Sequence, residues 1–179
     1  EKLSKIKASR GDGFLIWFHV ASVGEAMSII PLIENYLENK KIKKILITSI
    51  TLSSGKILEK KFNQNTKVIH QFLPLDIPLL VEKFLEHWKP NLSIFIESEI
   101  WPNLIIETKK RNIPLLLINA RITKKSFNRW LLLKNFANEI FKKFDLCIVA
   151  NKETENYLRV LGSNNIKNYG NLKFSKAKS

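Results

Sequence analysis

The run FLIWFHV, residues 14–20, constrains the fold more than any other stretch of the chain. It is almost continuously apolar, so it is expected to form a strand buried on both faces. Such a strand needs helices above and below it, and therefore parallel neighbours joined by crossover helices. The next residues fit that demand. Ser22-Val23-Gly24-Glu25 makes a turn, with Gly24 permitting a sharp exit, and from Ala26 onward Ile29, Ile30, Ile33, Tyr36 and Leu37 share one helical face. Pro31 is expected near the first turn of that helix or at a kink.

The alternation then repeats. KILITSI (44–50), VIHQF (68–72), LSIFI (92–96), PLLLINA (114–120) and DLCIVA (145–150) read as strands, with a short one at 166–168. Helices are expected at 51–62, from the LPLDIP turn to about residue 88, from Trp101-Pro102 to about residue 111, over 124–143 and over 152–161. Asp76 is expected to cap the third helix with Pro78 in its first turn, and Gly162 to end the last one. Residues 1–13 form a basic tail and turn, 14–174 one domain, and 175–179 the start of a linker. The expected class is α/β, a Rossmann-like parallel sheet with helices on both faces. Ligands of such sheets bind beyond the carboxyl ends of the strands, where SVGE, TSITLSSG, ESE and NARITKKS are placed.

Composition narrows the partners. With 179 residues and 45% hydrophobic content the chain can bury a core, which excludes a disordered class. Its net charge of +14 should draw it to polyanions: nucleic acid, anionic lipid or a phosphorylated substrate. The lone Cys147, in an apolar run, is expected to be a buried strand residue, and it excludes a disulfide framework. No apolar run approaches the roughly 18 residues that span a bilayer.

Several clusters could carry chemistry. Glu25 stands at the start of a helix on a rigid mount, where the helix dipole would keep it ionised. That suits a general base for a hydroxyl nucleophile, with Ser22 and Gly24 donating to an anion or sugar. An acidic first-turn residue also serves the dipole alone, and both roles stay open. Glu97 and Glu99 follow the fourth strand, either as further first-turn acids or with one of them orienting a basic group or binding sugar hydroxyls. Asn119, Arg121, Lys124 and Lys125 follow the fifth, as a phosphate grip or a solvated basic loop. In the helix at 124–143, Leu133, Ala137, Ile140, Phe141 and Phe144 make a core stripe. Trp130, Leu131 and Leu132 are surplus to it, for contact with a membrane surface or with another domain. His19, His70 and His87 lack metal-site spacing; His19 and His70 are expected to be packed or hydrogen-bonded. Phosphate-loop, dinucleotide and nucleophile-elbow patterns do not occur.

Five stretches match one family in order and spacing: HVASVGE (19–25), PLDIP (74–78), ESEIWPNL (97–104), NARIT (119–123) and GNLKF (170–174). With these the chain resembles the amino-terminal lobe of the 3-deoxy-D-manno-octulosonic acid (Kdo) transferases of lipopolysaccharide synthesis. The resemblance implies one lobe of a GT-B glycosyltransferase that takes a phosphorylated lipid A precursor as acceptor, while a second lobe holds most of the donor, CMP-Kdo. It implies inversion at the anomeric carbon, no cofactor and no metal, and action at the cytoplasmic face of the bacterial inner membrane. Glu25 is then the general base and Glu97 the second catalytic carboxylate. Ser22, Gly24, Glu99, Asn119, Arg121 and Lys124 are expected around the acceptor, and Trp130, Leu131 and Leu132 at the membrane. The chain ends just past GNLKF, so the isolated chain is expected to lack transferase activity. The rival readings are a basic α/β module for nucleic acid, and a membrane-surface module without catalysis. Neither accounts for the five ordered motifs, and a nucleic-acid partner is not expected.

Overall fold

A computed structural model describes residues 8–170. Strands β1 (Phe14–His19), β2 (Ile42–Ser49), β3 (Val68–Phe72), β4 (Leu92–Ile96), β5 (Leu115–Ala120), β6 (Leu146–Val149) and β7 (Ile166–Asn168) form one sheet. Between them run α1 (Val23–Glu38), α2 (Leu52–Phe62), α3 (Pro78–Trp88), α4 (Pro102–Lys110), α5 (Lys124–Leu131), α6 (Lys134–Phe141) and α7 (Lys152–Leu161). All pairings are parallel and the strand order is β3-β2-β1-β4-β5-β6-β7. The expected basic tail lies partly, and the expected linker wholly, outside the described residues, as does most of GNLKF.

Alternation along β1 explains the layering. Leu15 and Trp17 face a core shared with Val81, Phe84, Leu85 and Trp88 of α3, Leu104 and Ile105 of α4, and Ala137, Ile140 and Phe141 of α6. Ile16, Phe18 and Val20 face the opposite core, with Ala26, Ile29 and Ile33 of α1 and Leu58 and Phe62 of α2. Trp17 packs at 5.0 Å from the ring of Phe84 and 5.2 Å from that of Phe95. Each fully buried side chain of this size contributes about 1.5–3 kcal/mol of transfer free energy. The run at 14–20 is therefore a strand covered on both faces, as its composition demands. Cys147 is fully buried, and burial pushes its thiol up to about 12. Gly162 closes α7 in the left-handed conformation, with φ 106°.

Four local expectations are corrected. The helix at 124–143 is two helices, broken at Leu132 and Leu133. The halves have different supports: α5 stacks Phe127 on Tyr157 of α7 at 4.1 Å, whereas α6 inserts Ala137, Ile140 and Phe141 into the core. Leu133 consequently leaves the core stripe and is exposed. Pro31 sits in the middle of α1, which sets aside the first of its two expected places, the first turn. The carbonyl it leaves unpaired belongs to Met27, whose residue is exposed, so water can take over that bond. Gly24 has no left-handed backbone, and a Cβ there would meet nothing nearer than Ser22 Oγ at 3.8 Å, so the turn does not require glycine.

Asp76 does not cap α3, whose N-cap Ile77 makes no side-chain bond. It caps α4 instead. Trp101, the residue before Pro102, has no capping oxygen, so the free amides of that helix end take Asp76 from a neighbouring loop. Its Oδ1 accepts from Leu104 N–H (2.8 Å) and its Oδ2 from Asn103 N–H (3.1 Å), while Asn103 Nδ2 donates back to Asp76 O (2.7 Å). Asp76→Ala should lower the stability of the chain by about 1–2 kcal/mol, read as a drop in the urea midpoint. An unchanged midpoint would show that this cap is idle.

Candidate active site

The strand order reverses between β1 and β4: the chain leaves β1 for β2 and β3 on one side, then returns to lay β4 on the other. At such a switch point two connections part and a crevice opens beyond the strand ends. The β1–α1 turn and the β4–α4 connection flank that crevice, which brings Glu25, Glu97 and Glu99 to one place.

Ser22 is the N-cap of α1, and its Oγ accepts from Glu25 N–H at 3.2 Å. The Ser22 hydroxyl donates to Glu25 Oε1 (3.2 Å), and Ala21 N–H donates to Glu25 Oε2 (2.7 Å). This is a capping box with the acid reaching one residue further back than usual. Val23 and Gly24 lie exposed beside it in the first turn of the helix. Glu25 is 6% exposed, and that burial is the main reason its pKa rises from 4.5 to about 7. The Ala21 N–H opposes the rise, and the charges of Glu99 and then Glu97 add to it. The expectation that the dipole keeps Glu25 ionised is therefore corrected. A first-turn dipole effect is about 0.3–1 kcal/mol, less than one pKa unit, and cannot offset burial of this size.

The other two carboxylates part company. Glu97 has φ 57° and Asn119 has φ 52°, on adjoining strand ends, and Asn119 Nδ2 donates to Glu97 Oε1 at 3.2 Å. Asn tolerates this left-handed backbone; Glu does so at a cost of about 1–3 kcal/mol. Asn119 is buried, and its Oδ1 lacks a partner among the described residues. Glu99 turns instead toward β1: its Oε2 accepts from Trp101 Nε1 (2.8 Å) and faces His19 Nε2 (3.2 Å). His19 thus proves hydrogen-bonded, as expected, but to a site carboxylate. The signal available was its place two residues after Trp17, on the same face of β1.

The remaining candidates spread outward. Arg121 is exposed, with its backbone N–H donating to Glu97 O at 3.3 Å, and Lys124 is exposed at the start of α5. Trp130 and Leu131 are half-buried against the core, and Trp130 meets Phe141 edge-on at 5.2 Å. They are not the free apolar surface that the pattern suggests. That surface is Leu132, 83% exposed, with Leu133 and Phe136, which an unbroken helix had hidden from view.

Comparison with known proteins bears on the family and the fold. A family profile described as "3-Deoxy-D-manno-octulosonic-acid transferase (kdotransferase)" matches residues 1–176. The 3-deoxy-D-manno-octulosonic acid transferase of Rickettsia felis is 45% identical over 164 residues, covering 92% of this chain and 35% of that protein. The transferase of the same description from Rickettsia bellii is 41% identical, covering 99% of this chain and 42% of that protein. The chain thus spans well under half the length of these relatives. Among solved structures, the UDP-GlcNAc 2-epimerase of Neisseria meningitidis bound to UDP-GlcNAc matches with TM-score 0.62 at 13% identity, over 88% of this chain and 47% of that one. The UDP-N-acetylglucosamine 2-epimerase of Rickettsia bellii matches with TM-score 0.59 at 18% identity, over 89% and 45%. These likenesses identify the fold alone, a Rossmann-like lobe of the GT-B type.

The raised pKa of Glu25 has a signed consequence for stability. The folded chain holds a proton on Glu25 that the unfolded chain releases between 4.5 and about 7. The associated stability is present below that window and lost as pH rises through it. Glu25→Gln removes this loss, so its urea midpoint should gain on the wild type between about pH 5 and about pH 8. A pH-independent difference would mean that Glu25 titrates as an ordinary carboxylate.

Proposed function

The chain belongs to the 3-deoxy-D-manno-octulosonic acid transferase family, and from that membership we propose that it is the acceptor-binding lobe of an enzyme transferring Kdo from CMP-Kdo to a phosphorylated lipid A precursor. The observation that carries the site assignment is Glu25: a carboxylate fixed by two hydrogen bonds at the β1–β4 crevice, with a pKa of about 7. A general base works best with a proton affinity near the operating pH. Glu25 takes the proton of an acceptor hydroxyl; the oxygen attacks the anomeric carbon of Kdo from the face opposite CMP. The bond to CMP breaks with its electron pair going to the departing phosphate, and the configuration inverts. Glu97, held by Asn119, and Glu99 bind sugar hydroxyls beside it. The amide of Gly24 offers a further donor, while the Ser22 hydroxyl is committed to Glu25 Oε1 and leaves its oxygen as an acceptor.

The wider surface suits the same acceptor. Arg121 and Lys124 are exposed beyond the end of β5, within the connection that adjoins Glu97, and meet its phosphates. Leu132, Leu133 and Phe136, with Lys134 and Arg129 around them, enter the bilayer interface, while Trp130 and Leu131 support them from below. Action at the cytoplasmic face of the bacterial inner membrane is part of the same proposal. The charge of +14 then answers to acceptor phosphates and anionic lipid, without nucleic acid.

Two measurements test the reading. In a protein of the relatives' full length that carries this chain, Glu25→Gln should lower kcat for Kdo transfer by about 10²–10⁴-fold while the fold is retained. Transfer within a few-fold of wild type would return Glu25 to capping and move the search to Glu97. Leu132→Glu with Leu133→Glu should weaken binding to vesicles containing anionic phospholipid by about tenfold or more at high salt, where charge is screened. Unchanged binding would refute the apolar contact.

A further inference from the structure

We propose that His19 is a positioning residue for proton transfer at Glu25, acting through Glu99: it holds Glu99 as a fixed anion at the mouth of the β1–β4 crevice. The proposal rests on the reading of Glu25 as the base and adds to it a residue that touches neither substrate nor the base.

The geometry is specific. His19 closes β1, is fully buried, and pairs in register with Thr48 of β2 on one side and Phe95 of β4 on the other. Its Nδ1 lies 2.9 Å from Thr48 Oγ1 and its Nε2 lies 3.2 Å from Glu99 Oε2. Thr48 Oγ1 already accepts from Trp17 Nε1 at 2.9 Å. Its own proton therefore goes either to His19 Nδ1 or to Phe18 O at 3.4 Å. In the first case Nδ1 accepts, the ring proton is on Nε2, and Nε2–H donates to Glu99 Oε2. In the second Nδ1–H donates to Thr48 Oγ1, and the His19–Glu99 hydrogen bond is made by a proton on either partner. In both, Thr48 and Glu99 hold the imidazole from its two ends, and Trp101 Nε1–H supplies a donor to the same Glu99 oxygen.

This arrangement is poor economy for packing alone. His19 stands at 5.4 Å, edge-on, from the ring of Phe95, and two residues from Trp17, in surroundings that a phenyl ring would fill. A buried imidazole and a nearly buried carboxylate are retained instead, at a desolvation cost that packing does not demand. What the pair accomplishes is to keep charge beside Glu25. The groups facing Glu25 are Ser22 and Ala21 from its own cap, and Glu99 and Glu97 from the β4–α4 connection. Those facing His19 are Thr48 from β2, Phe95 from β4 and Glu99. Of the two carboxylates, Glu99 has the larger influence on Glu25.

The test uses four variants and two readouts. One readout is the pH dependence of kcat/KM for Kdo transfer by the full-length protein. The other is a carbon-13 NMR titration of the Glu25 carboxyl in the same protein, which needs no turnover. Glu99→Gln removes the anion but keeps the shape, and should move the Glu25 titration down by about one unit. His19→Phe withdraws the partner at Nε2 and should produce a movement in the same direction, because Glu99 is no longer held in place beside the crevice. His19→Asn keeps a partner for Thr48 while withdrawing the Nε2 donor, and decides the matter if the phenylalanine variant does not fold. His19→Gln restores a donor near the Nε2 position and should keep the wild-type titration. A Glu25 titration unmoved in the folded His19→Asn and Glu99→Gln variants overturns the proposal and leaves His19 a structural residue. A titration that moves while the limb of kcat/KM stays put overturns the base assignment, and with it the role of His19 in catalysis, but leaves the electrostatic link standing.

Discussion

Strand β1 is hydrogen-bonded to a strand on each side, and its second neighbour is β4, more than 70 residues away along the chain. The site depends on that pairing. Were β3 the second neighbour, the turn after β1 would open beside the PLDIP loop and the acidic connection after β4 would lie elsewhere. Because β4 takes that place, His19 and Phe95 stand side by side and Glu99 reaches back across β1. The pairing is secured by side chains that cannot be satisfied otherwise. Trp17, packed on Phe84 of α3 and Phe95 of β4, has one polar atom, and it is met by Thr48 of β2. One indole thus links β1 to both neighbours.

Element order and type were legible because apolar runs and amphipathic segments alternate with short connections; β3, β4 and α7 fall where the pattern puts them. What stayed hidden depends on partners far apart in sequence. Nothing near Asp76 announces that its carboxylate belongs to Asn103 and Leu104, 27 and 28 residues on. The break between α5 and α6 follows from two different supports, α7 and the sheet, and neither is visible in the periodicity of 124–143. At the site, the placement of Glu25 could be read from S-x-x-E after a strand, but its proton affinity could not. Burial and the approach of Glu99 set that, and both are tertiary.

Capping and the proposed role as base do not compete at Glu25. The bonds from Ser22 and Ala21 that make it a cap also fix both carboxylate oxygens, which is what a base needs to meet a hydroxyl in one orientation. A cap that served the helix alone would be better left in solvent, ionised and screened. Burying it beside two other carboxylates works against helix stability and favours a group that changes charge near neutral pH. Glu97 is also held where local stability does not favour it, since its left-handed backbone is strained and a glycine there would relax the chain.

The exposed apolar residues at the α5–α6 break obey a related logic on the outer surface. Single exposed leucines need no explanation, but Leu132 and Leu133 are adjacent and Phe136 lies one turn further on. A continuous helix from 124 to 143 would carry Leu133 on the same stripe as Ala137 and Ile140 and could turn it inward. The break gives up that burial and leaves α5 without a fully buried residue, held by the stack of Phe127 on Tyr157 and by the half-buried Trp130 and Leu131. Water alone would not favour such an exchange. It is favourable if another apolar phase covers the patch, and the lysines and arginine around it match the anionic surface of a bilayer. The half-buried Trp130 then serves as a brace. Packed on Phe141 below and Phe136 beside it, the indole stiffens the break so that the leucines project from a rigid base.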